Sequence, residues 1–240
     1  MSNSRHNNST EARILYSQIF ASGTFKNVFA GTYTSGSRAG QPCVAKEFKA
    51  GLVYEEHYFH EEMRVIRRTQ MVINDWQRSG RIDKRILLNT PEIWEVSGGR
   101  AKVLVEPMIE NFVKFNSNSG WVNNSDGVWS DAMQALSHFS YHNSDGRLLL
   151  CDLQGGSYRD GFVLTDPVIM SQNQSYGPAD LGPAGIKSFF QRHRCGNYCS
   201  SGWRQPHSSS APTVPKRKGT SMVPYLPTRA SRNPLSRIQE

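Results

Sequence analysis

The chain has 240 residues and a formal net charge of +8, long enough for one large or two small domains with a sizeable core. Hydrophobic residues make up 37% and no apolar run approaches the length of a bilayer span, while the opening MSNSRHNNSTEAR lacks the apolar centre of a secretory signal. A membrane protein is therefore not expected, and the cytoplasm is the expected compartment. Seven of the 28 Lys and Arg, but only one of the 20 Asp and Glu, lie between Arg204 and Glu240, so most of the excess positive charge belongs to the tail. Four cysteines in such a chain point to metal ligands or free thiols rather than disulfides.

In chain order, residues 1–13 are polar and are expected to be disordered. From Ile14 to Phe48, alternating apolar positions punctuated by Gly23, Gly31, Gly36 and Gly40 predict a β-rich start. It ends in a strand, Cys43-Val44-Ala45-Lys46-Glu47-Phe48, with one lysine at its centre. A glycine loop leading to a strand lysine is a common way to cover and hold nucleotide phosphates. Tyr54 to Ser79 predicts a helix, with Phe59, Met63, Ile66, Ile73 and Trp76 at a 3.6-residue period. Glu61 or Glu62 on this helix is a possible ion-pair partner for Lys46, although most of its acids suit a solvated face. Ile86–Leu88 and Lys102–Val105 read as strands around a turn at Gly98-Gly99. Glu106-Pro107-Met108 then exits in extended form, as a connector between two lobes would. After a polar loop from Lys114 to Gly120, a helix is predicted over Ser130–His142.

The most informative stretch is RLLLCDLQGGSYRDGFVLTDP, from Arg147 to Pro167. Leu148–Leu150 and Phe162–Leu164 read as the two strands of a hairpin that delivers Asp152, Gln154 and Asp166 to one rim. Such an oxygen-rich set suits Mg²⁺, which takes one or two carboxylates together with substrate phosphates. A second glycine loop, Tyr176 to Gly182, precedes a short helix over Ala184–His193. His193-x-Cys195-x₃-Cys199 is a compact His/Cys cluster that needs a fourth ligand. His138 is the first choice, with His142 and His207 as weaker ones. Two Cys with two His form a closed, structural zinc set with no position left open for water. Beyond Trp203, residues 204–240 have the Ser, Pro and basic composition of a disordered tail.

Several of these pieces, in their order, resemble the alpha-kinase family of atypical Ser/Thr protein kinases. They are FASGTFKNVFAGTY, CVAKEF, VEP, KFNSNSG, HFSYH followed by RLLLCDLQGG, LTDP, Gly177-x-Ala179-x-x-Gly182 and HRCGNYC, and they span about Ile14 to Trp203. The resemblance implies an α+β, bilobal, kinase-like fold. Its β-rich N-lobe would cover about residues 14–106 and its α+β C-lobe, with a structural zinc, about 107–203. It implies ATP and Mg²⁺ as reactants and transfer of the γ-phosphate to Ser or Thr of a protein substrate. Carried over position by position, Lys46 is similar to the lysine on the α- and β-phosphates, and Glu106 and Met108 to the connector at the adenine. Lys114 resembles a lysine near the phosphates and substrate, and Gln154 and Asp166 the metal-binding pair. Asp152 resembles the aspartate that receives the acceptor's proton, and the assignment between Asp152 and Asp166 stays open because both share the rim. Gly177, Ala179 and Gly182 resemble a loop that engages nucleotide or peptide, and His138, His193, Cys195 and Cys199 the zinc positions. No matched position is lost, which disfavours an inactive relative.

The competing reading is a zinc-stabilised, non-catalytic module that binds nucleic acid or protein through its basic tail. Lys216-Arg217-Lys218 is the tail's one dense cluster, and Tyr225 its single tyrosine past that cluster. Single-strand binding needs several aromatics interleaved with the charges, so nucleic acid is disfavoured. A nuclear address in the tail is left open.

Overall fold

The protein is described by a computed structural model covering residues 4–6, 8–49, 55–97, 102–123, 127–159, 161–207 and 212–219. The strands are β1 (Ser4–His6), β2 (Ala12–Ile14), β3 (Ala21–Ser22), β4 (Lys26–Tyr33), β5 (Pro42–Phe48), β6 (Arg85–Thr90), β7 (Glu92–Glu95), β8 (Lys102–Pro107), β9 (Phe112–Lys114), β10 (Leu148–Cys151), β11 (Gln154–Tyr158), β12 (Gly161–Thr165) and β13 (Val168–Ser171). The α-helices are α1 (Glu55–Arg78), α2 (Val128–Asn143) and α3 (Gly182–Phe190). The expected helices all form, each within a few residues of its predicted ends. The expected turn at Gly98-Gly99 lies outside the described residues.

Two sheets face the site. The first is antiparallel, in the order β2-β4-β5-β8-β7 with β3 added to β4. Its central strand, β5, is buried along most of its length because strands flank both its edges. The second sheet runs β1-β6-β12-β11-β9 and mixes parallel and antiparallel pairs. A separate ribbon pairs β10 with β13. The main core lies between the second sheet and helices α1 and α2, where Ile73, Trp76, Ile86, Leu88, Met133, Leu136 and Phe162 are essentially inaccessible to solvent. Aromatic, Leu and Ile side chains of this kind each contribute roughly 1.5–3 kcal/mol on burial. Of the α1 period predicted from sequence, Ile66, Ile73 and Trp76 supply this face, while Phe59 packs instead with Phe48 and Leu104 and Met63 stays outside the core. No α-helix among the described residues is long and apolar enough to cross a membrane.

One expectation is corrected. Leu148–Leu150 and Phe162–Leu164 do not pair with each other: the first run pairs with Ile169–Ser171 and the second with Gly155–Ser157 and with β6. Both runs are buried throughout, so nothing in their pattern specified a partner. Among the described N-terminal residues, β1 pairs with β6 and β2 with β4. Strand β6 belongs to the second sheet and β7 and β8 return to the first, so the chain passes between the sheets at Pro91 and at residues 108–111, as it also does between β1 and β2 and between β5 and β6. The passages at Pro91 and 108–111 are tied together where Asn89 Nδ2 donates to the Pro107 carbonyl at 2.9 Å.

Candidate active site

A cleft opens between the glycine turn that joins β3 to β4 and the ends of β10, β11 and β12. Lys46, Lys26, Lys114, Asp152, Gln154 and Asp166 all line it. Lys46 lies in register with Val28 on one side and Leu104 on the other, so its place at the centre of the sheet is fixed by both neighbours. Its side chain is 2% exposed, which would be costly for an unpaired ammonium. Partners compensate: Nζ lies 2.7 Å from Glu106 Oε1 and 2.7 Å from Asp166 Oδ2, and it donates to Thr165 Oγ1 at 3.2 Å. Thr165 Oγ1 in turn donates to Glu106 Oε1 at 2.8 Å. Burial alone would lower the lysine's pKa, but the Asp166 and Glu106 carboxylates overcome it and the net shift is upward. Glu106 is itself pushed up by burial, against the pull of Lys46.

Asp166 and Asp152 sit in opposite electrostatic settings. Asp166 is gripped by two lysines, Lys46 and also Lys26 at 3.1 Å. Burial raises its pKa, but Lys26 and Lys46 more than reverse this and hold it well below the ordinary carboxylate range. Asp152 has one cationic partner, Lys114 Nζ at 2.8 Å, and accepts from Gln154 Nε2 at 3.1 Å. Burial pushes its pKa up to about 6, with Lys114 pulling down and Asp166 pushing further up. Both aspartates adopt left-handed backbone, φ 57° at Asp152 and 46° at Asp166. Aspartate tolerates this region better than most residues, and a cost of order 1–3 kcal/mol is typical of such positions at functional sites. Gly155 beside them is required by space, because a Cβ there would lie 1.8 Å from the Val163 carbonyl oxygen. The Gln154 side chain lines the cleft, and its buried Oε1 has no hydrogen-bond partner.

The glycine loop that follows is organised by a residue the sequence reading passed over. Asp180 accepts from Ser171 N (2.9 Å), Ser171 Oγ (2.6 Å), Tyr176 N (3.2 Å) and Gly182 N (2.9 Å). Of the three loop positions carried over by resemblance, Ala179 lines the cleft. Gly177 backs onto Glu61 with φ 84°, and Gly182 starts α3 with φ 62°. Glu106 and Met108 are not among the lining residues. The Glu106 side chain turns inward to Lys46, and Met108 packs against Ala21, Val28 and Val44. Two further residues were missed. Lys26 pairs with Glu62 at 2.8 Å, so the α1 acid serves Lys26, while Lys46 takes Glu106 instead. The other α1 acid, Glu61, pairs with His57 at 3.1 Å. Asn116, fully buried, accepts from Leu153 N at 2.9 Å and donates to Gln134 and Ser137 on α2, which fixes the backbone between Asp152 and Gln154.

Below this cleft, His138, His193, Cys195 and Cys199 bring one ligand atom each to within 4.8 Å of one another. His138 Nδ1 and His193 Nε2 are 3.1 Å apart, and the Cys195 and Cys199 sulfurs each lie 3.6 Å from His193 Nε2. A tetrahedral zinc has N–N edges of about 3.3 Å and N–S edges of about 3.6 Å for ordinary bond lengths, so the set matches a zinc-sized cage. His138 Nε2 contacts the Arg204 carbonyl at 3.0 Å, which directs its Nδ1 lone pair toward the cluster. Burial lowers the pKa of His138, and burial together with His138 and Arg194 takes His193 down to about 4, so both imidazoles favour the neutral, ligating form. His142 is not part of the cluster; it accepts from Arg204 N at 3.2 Å and stacks on Trp203.

A bilobal α+β fold, a cleft in which a strand lysine meets two aspartates, and a His/Cys cage beneath it together define the architecture of an atypical kinase. A family model for the alpha-kinase family matches residues 21–199, and the chain belongs to that family. Among curated relatives, alpha-protein kinase vwkA of Dictyostelium discoideum is 38% identical over 97 residues, 38% of this chain and 15% of that protein. The eukaryotic elongation factor 2 kinase of Caenorhabditis elegans is 32% identical over 144 residues, 55% of this chain and 18% of that protein. The matched segments therefore span less than a fifth of these relatives' length. Among solved structures, an alpha-kinase from Entamoeba histolytica superposes with a TM-score of 0.68 at 22% identity, covering 88% of this chain and 84% of that one. The inactive alpha-kinase domain of myosin-II heavy chain kinase A complexed with ATP gives 0.66 at 20% identity, with 79% and 87% covered.

Proposed function

We propose that the chain is a protein kinase that transfers the γ-phosphate of ATP to Ser or Thr of a protein substrate. The observation that carries this reading is the convergence of Lys46, Lys26 and Lys114 on Asp166 and Asp152 in one cleft. Phosphoryl transfer asks little covalent chemistry of the protein. It needs clamped phosphates, neutralised charge and an aligned hydroxyl. Lys46 holds the phosphates from the sheet side, with Glu106 fixing its ammonium when no nucleotide is bound. Lys26, at the end of the glycine turn, supplies a second positive charge over them. Asp166, kept ionised by two lysines, and the orphan Oε1 of Gln154 are hard oxygen donors that suit Mg²⁺. When bound, that ion would offset the charge that develops on the phosphates.

Asp152 is the group suited to take the acceptor's proton. Its pKa of about 6 leaves it ionised at neutral pH yet basic enough to accept. Lys114, 2.8 Å away, stabilises the carboxylate and would help to neutralise charge on the phosphates. His138, His193, Cys195 and Cys199 would hold a structural zinc whose four positions are all filled by protein, so it anchors the end of the domain and takes no part in transfer. A cytoplasmic site of action goes with this reading.

The test is ³²P transfer from ATP to a generic basic protein in the presence of Mg²⁺, comparing wild type with Asp166→Ala. Labelling by wild type only supports the reading. Equal labelling by both removes Asp166 from its role, and absence of labelling by either overturns the enzyme assignment.

A further inference from the structure

Helix α2 carries a polar stripe, Gln134, Ser137, Ser140 and Ser144, whose spacing of three, three and four residues keeps it on one face. The three serines are at most 2% exposed, and Gln134 is buried as well. Buried polar groups cost free energy unless they are hydrogen-bonded, so apolar residues would sit on this face with less difficulty. The partners of the stripe are found in the segment that carries Asp152. Strand β10 has a neighbouring strand, β13, along one edge only. Along its other edge Leu148 N donates to Ser144 Oγ at 3.1 Å and Leu150 N to Ser140 Oγ at 2.7 Å. Hydroxyls one helical turn apart thus satisfy alternate N–H groups of the strand, as a second neighbouring strand would.

Past Asp152 the support continues through Asn116. Its Oδ1 accepts from Leu153 N at 2.9 Å, and its Nδ2 donates to Gln134 Oε1 and Ser137 Oγ, each at 3.1 Å. Gln134 Nε2 donates to the Phe115 carbonyl at 3.0 Å, and Phe115 N to the Leu153 carbonyl at 2.8 Å, which closes the network. Asp152 therefore stands between two holds, Ser140 on Leu150 and Asn116 on Leu153, with its backbone at φ 57°. A non-glycine residue keeps such a conformation only where its surroundings over-determine it. Gln154 is placed independently, by strand pairing with Lys114 and Thr165.

We infer that Ser140 and Asn116 are positioning residues for the transfer step, holding Leu150 and Leu153 so that the Asp152 carboxylate stays on the line of the acceptor hydroxyl, whereas Ser144 on the same face serves stability alone. This rests on the kinase reading above and deepens it, adding residues that touch neither nucleotide nor acceptor. A displacement of about 1 Å in a reacting group can cost roughly 100-fold in rate, so the loss of either hold should be read in turnover. It should leave substrate binding in place, because Lys26, Lys46 and Asp166 are carried by β4, β5 and the end of β12, away from the stripe. Ser144 differs from Ser140 only in where it grips: at Leu148, four residues before Asp152 instead of two.

The experiment measures steady-state ³²P transfer from ATP to a generic basic protein, with Mg²⁺, by the full chain and by Ser140→Ala, Asn116→Ala and Ser144→Ala. Each variant's urea midpoint is recorded alongside. Ser140→Ala and Ser144→Ala remove the same hydroxyl from one helix face and each leaves one β10 N–H unpaired, so their midpoints should fall alike. The expected result is a kcat lowered about tenfold or more in Ser140→Ala and Asn116→Ala, with KM for ATP and for protein unchanged and with the kcat of Ser144→Ala close to wild type. Ser137→Ala takes only one of the two acceptors from Asn116, and its kcat should lie between wild type and Asn116→Ala; it stands in should Asn116→Ala fail to fold. Equal kcat in Ser140→Ala and Ser144→Ala, or a raised KM with kcat kept, would overturn the inference and leave the kinase reading standing. A wild-type chain that labels nothing would overturn both.

Discussion

Lys46 and Glu106 form an ion pair closed off from solvent, with Nζ and Oε1 2.7 Å apart and side chains 2% and 1% exposed. The pair explains how a lysine can wait in the interior for a polyanionic ligand. Removing one member of such a pair leaves an uncompensated buried charge, at a cost of about 3–5 kcal/mol. Lys46 keeps Asp166, so Glu106→Ala should cost close to the lower end of that range. Glu106→Gln, which retains the acceptor for Lys46 and Thr165, should cost about 1–3 kcal/mol. Urea unfolding curves with an unchanged slope would measure both, and a Glu106→Ala midpoint equal to wild type would contradict the structural role.

The pH dependence of turnover should report Asp152. Its active form is the carboxylate and its pKa is about 6, so kcat/KM should be flat above that value. Below it, kcat/KM should fall by about tenfold per pH unit, as expected for the free enzyme's essential base. The sign follows from burial, which raises the carboxyl toward neutrality rather than lowering it. In Asp152→Asn the residual rate, at least about 100-fold lower, should lose this acidic limb. A variant that keeps the limb would assign it to another group.

Metal removal should unfold the C-terminal end of the domain. Elemental analysis is expected to find one zinc per chain, lost in Cys195→Ser, Cys199→Ser and His138→Ala but retained in His142→Ala, whose imidazole faces Arg204 and Trp203. Since the binding free energy of a structural zinc is folding free energy, chelation should lower the melting temperature and release the Trp203 ring from His138 and Trp76. Tryptophan fluorescence would follow that release.

Asp180 should matter to substrate binding although it contacts no ligand position. Its carboxylate accepts from three backbone N–H groups and one hydroxyl. Hydrogen bonds to a charged group contribute roughly 1.5–3 kcal/mol each at most. Asp180→Asn should therefore destabilise the chain by about that amount. It should raise the KM for peptide more than it lowers kcat, because the loop it organises carries Ala179 at the rim of the cleft. An unchanged KM would confine Asp180 to a purely structural role.

Much of this was legible in the sequence for physical reasons that can be named. The helix over 55–78 was written in a 3.6-residue stripe, and the His/Cys spacing forecast three members of the metal cage before any fold was known. Strand pairing was not legible for Leu148–Leu150 and Phe162–Leu164, because a run buried on both faces carries no alternation to mark its partner. Nothing in its neighbours singled out Lys26 in the sequence. Only the return of Asp166 and Glu62 from distant parts of the chain makes it part of the site. The contacts of residues 214 and 217 were not legible either, because the hydroxyls that meet this backbone belong to residues about 26 to 100 positions earlier.

The chain passes between the two sheets four times, between β1 and β2, β5 and β6, β6 and β7, and β8 and β9, and the last two passages are laced where Asn89 donates to the Pro107 carbonyl. Lys46 and Asp166 stand 120 positions apart in the sequence yet meet at 2.7 Å. With so many independent ties between the sheets, their meeting is a property of the whole fold and hangs on no single linker.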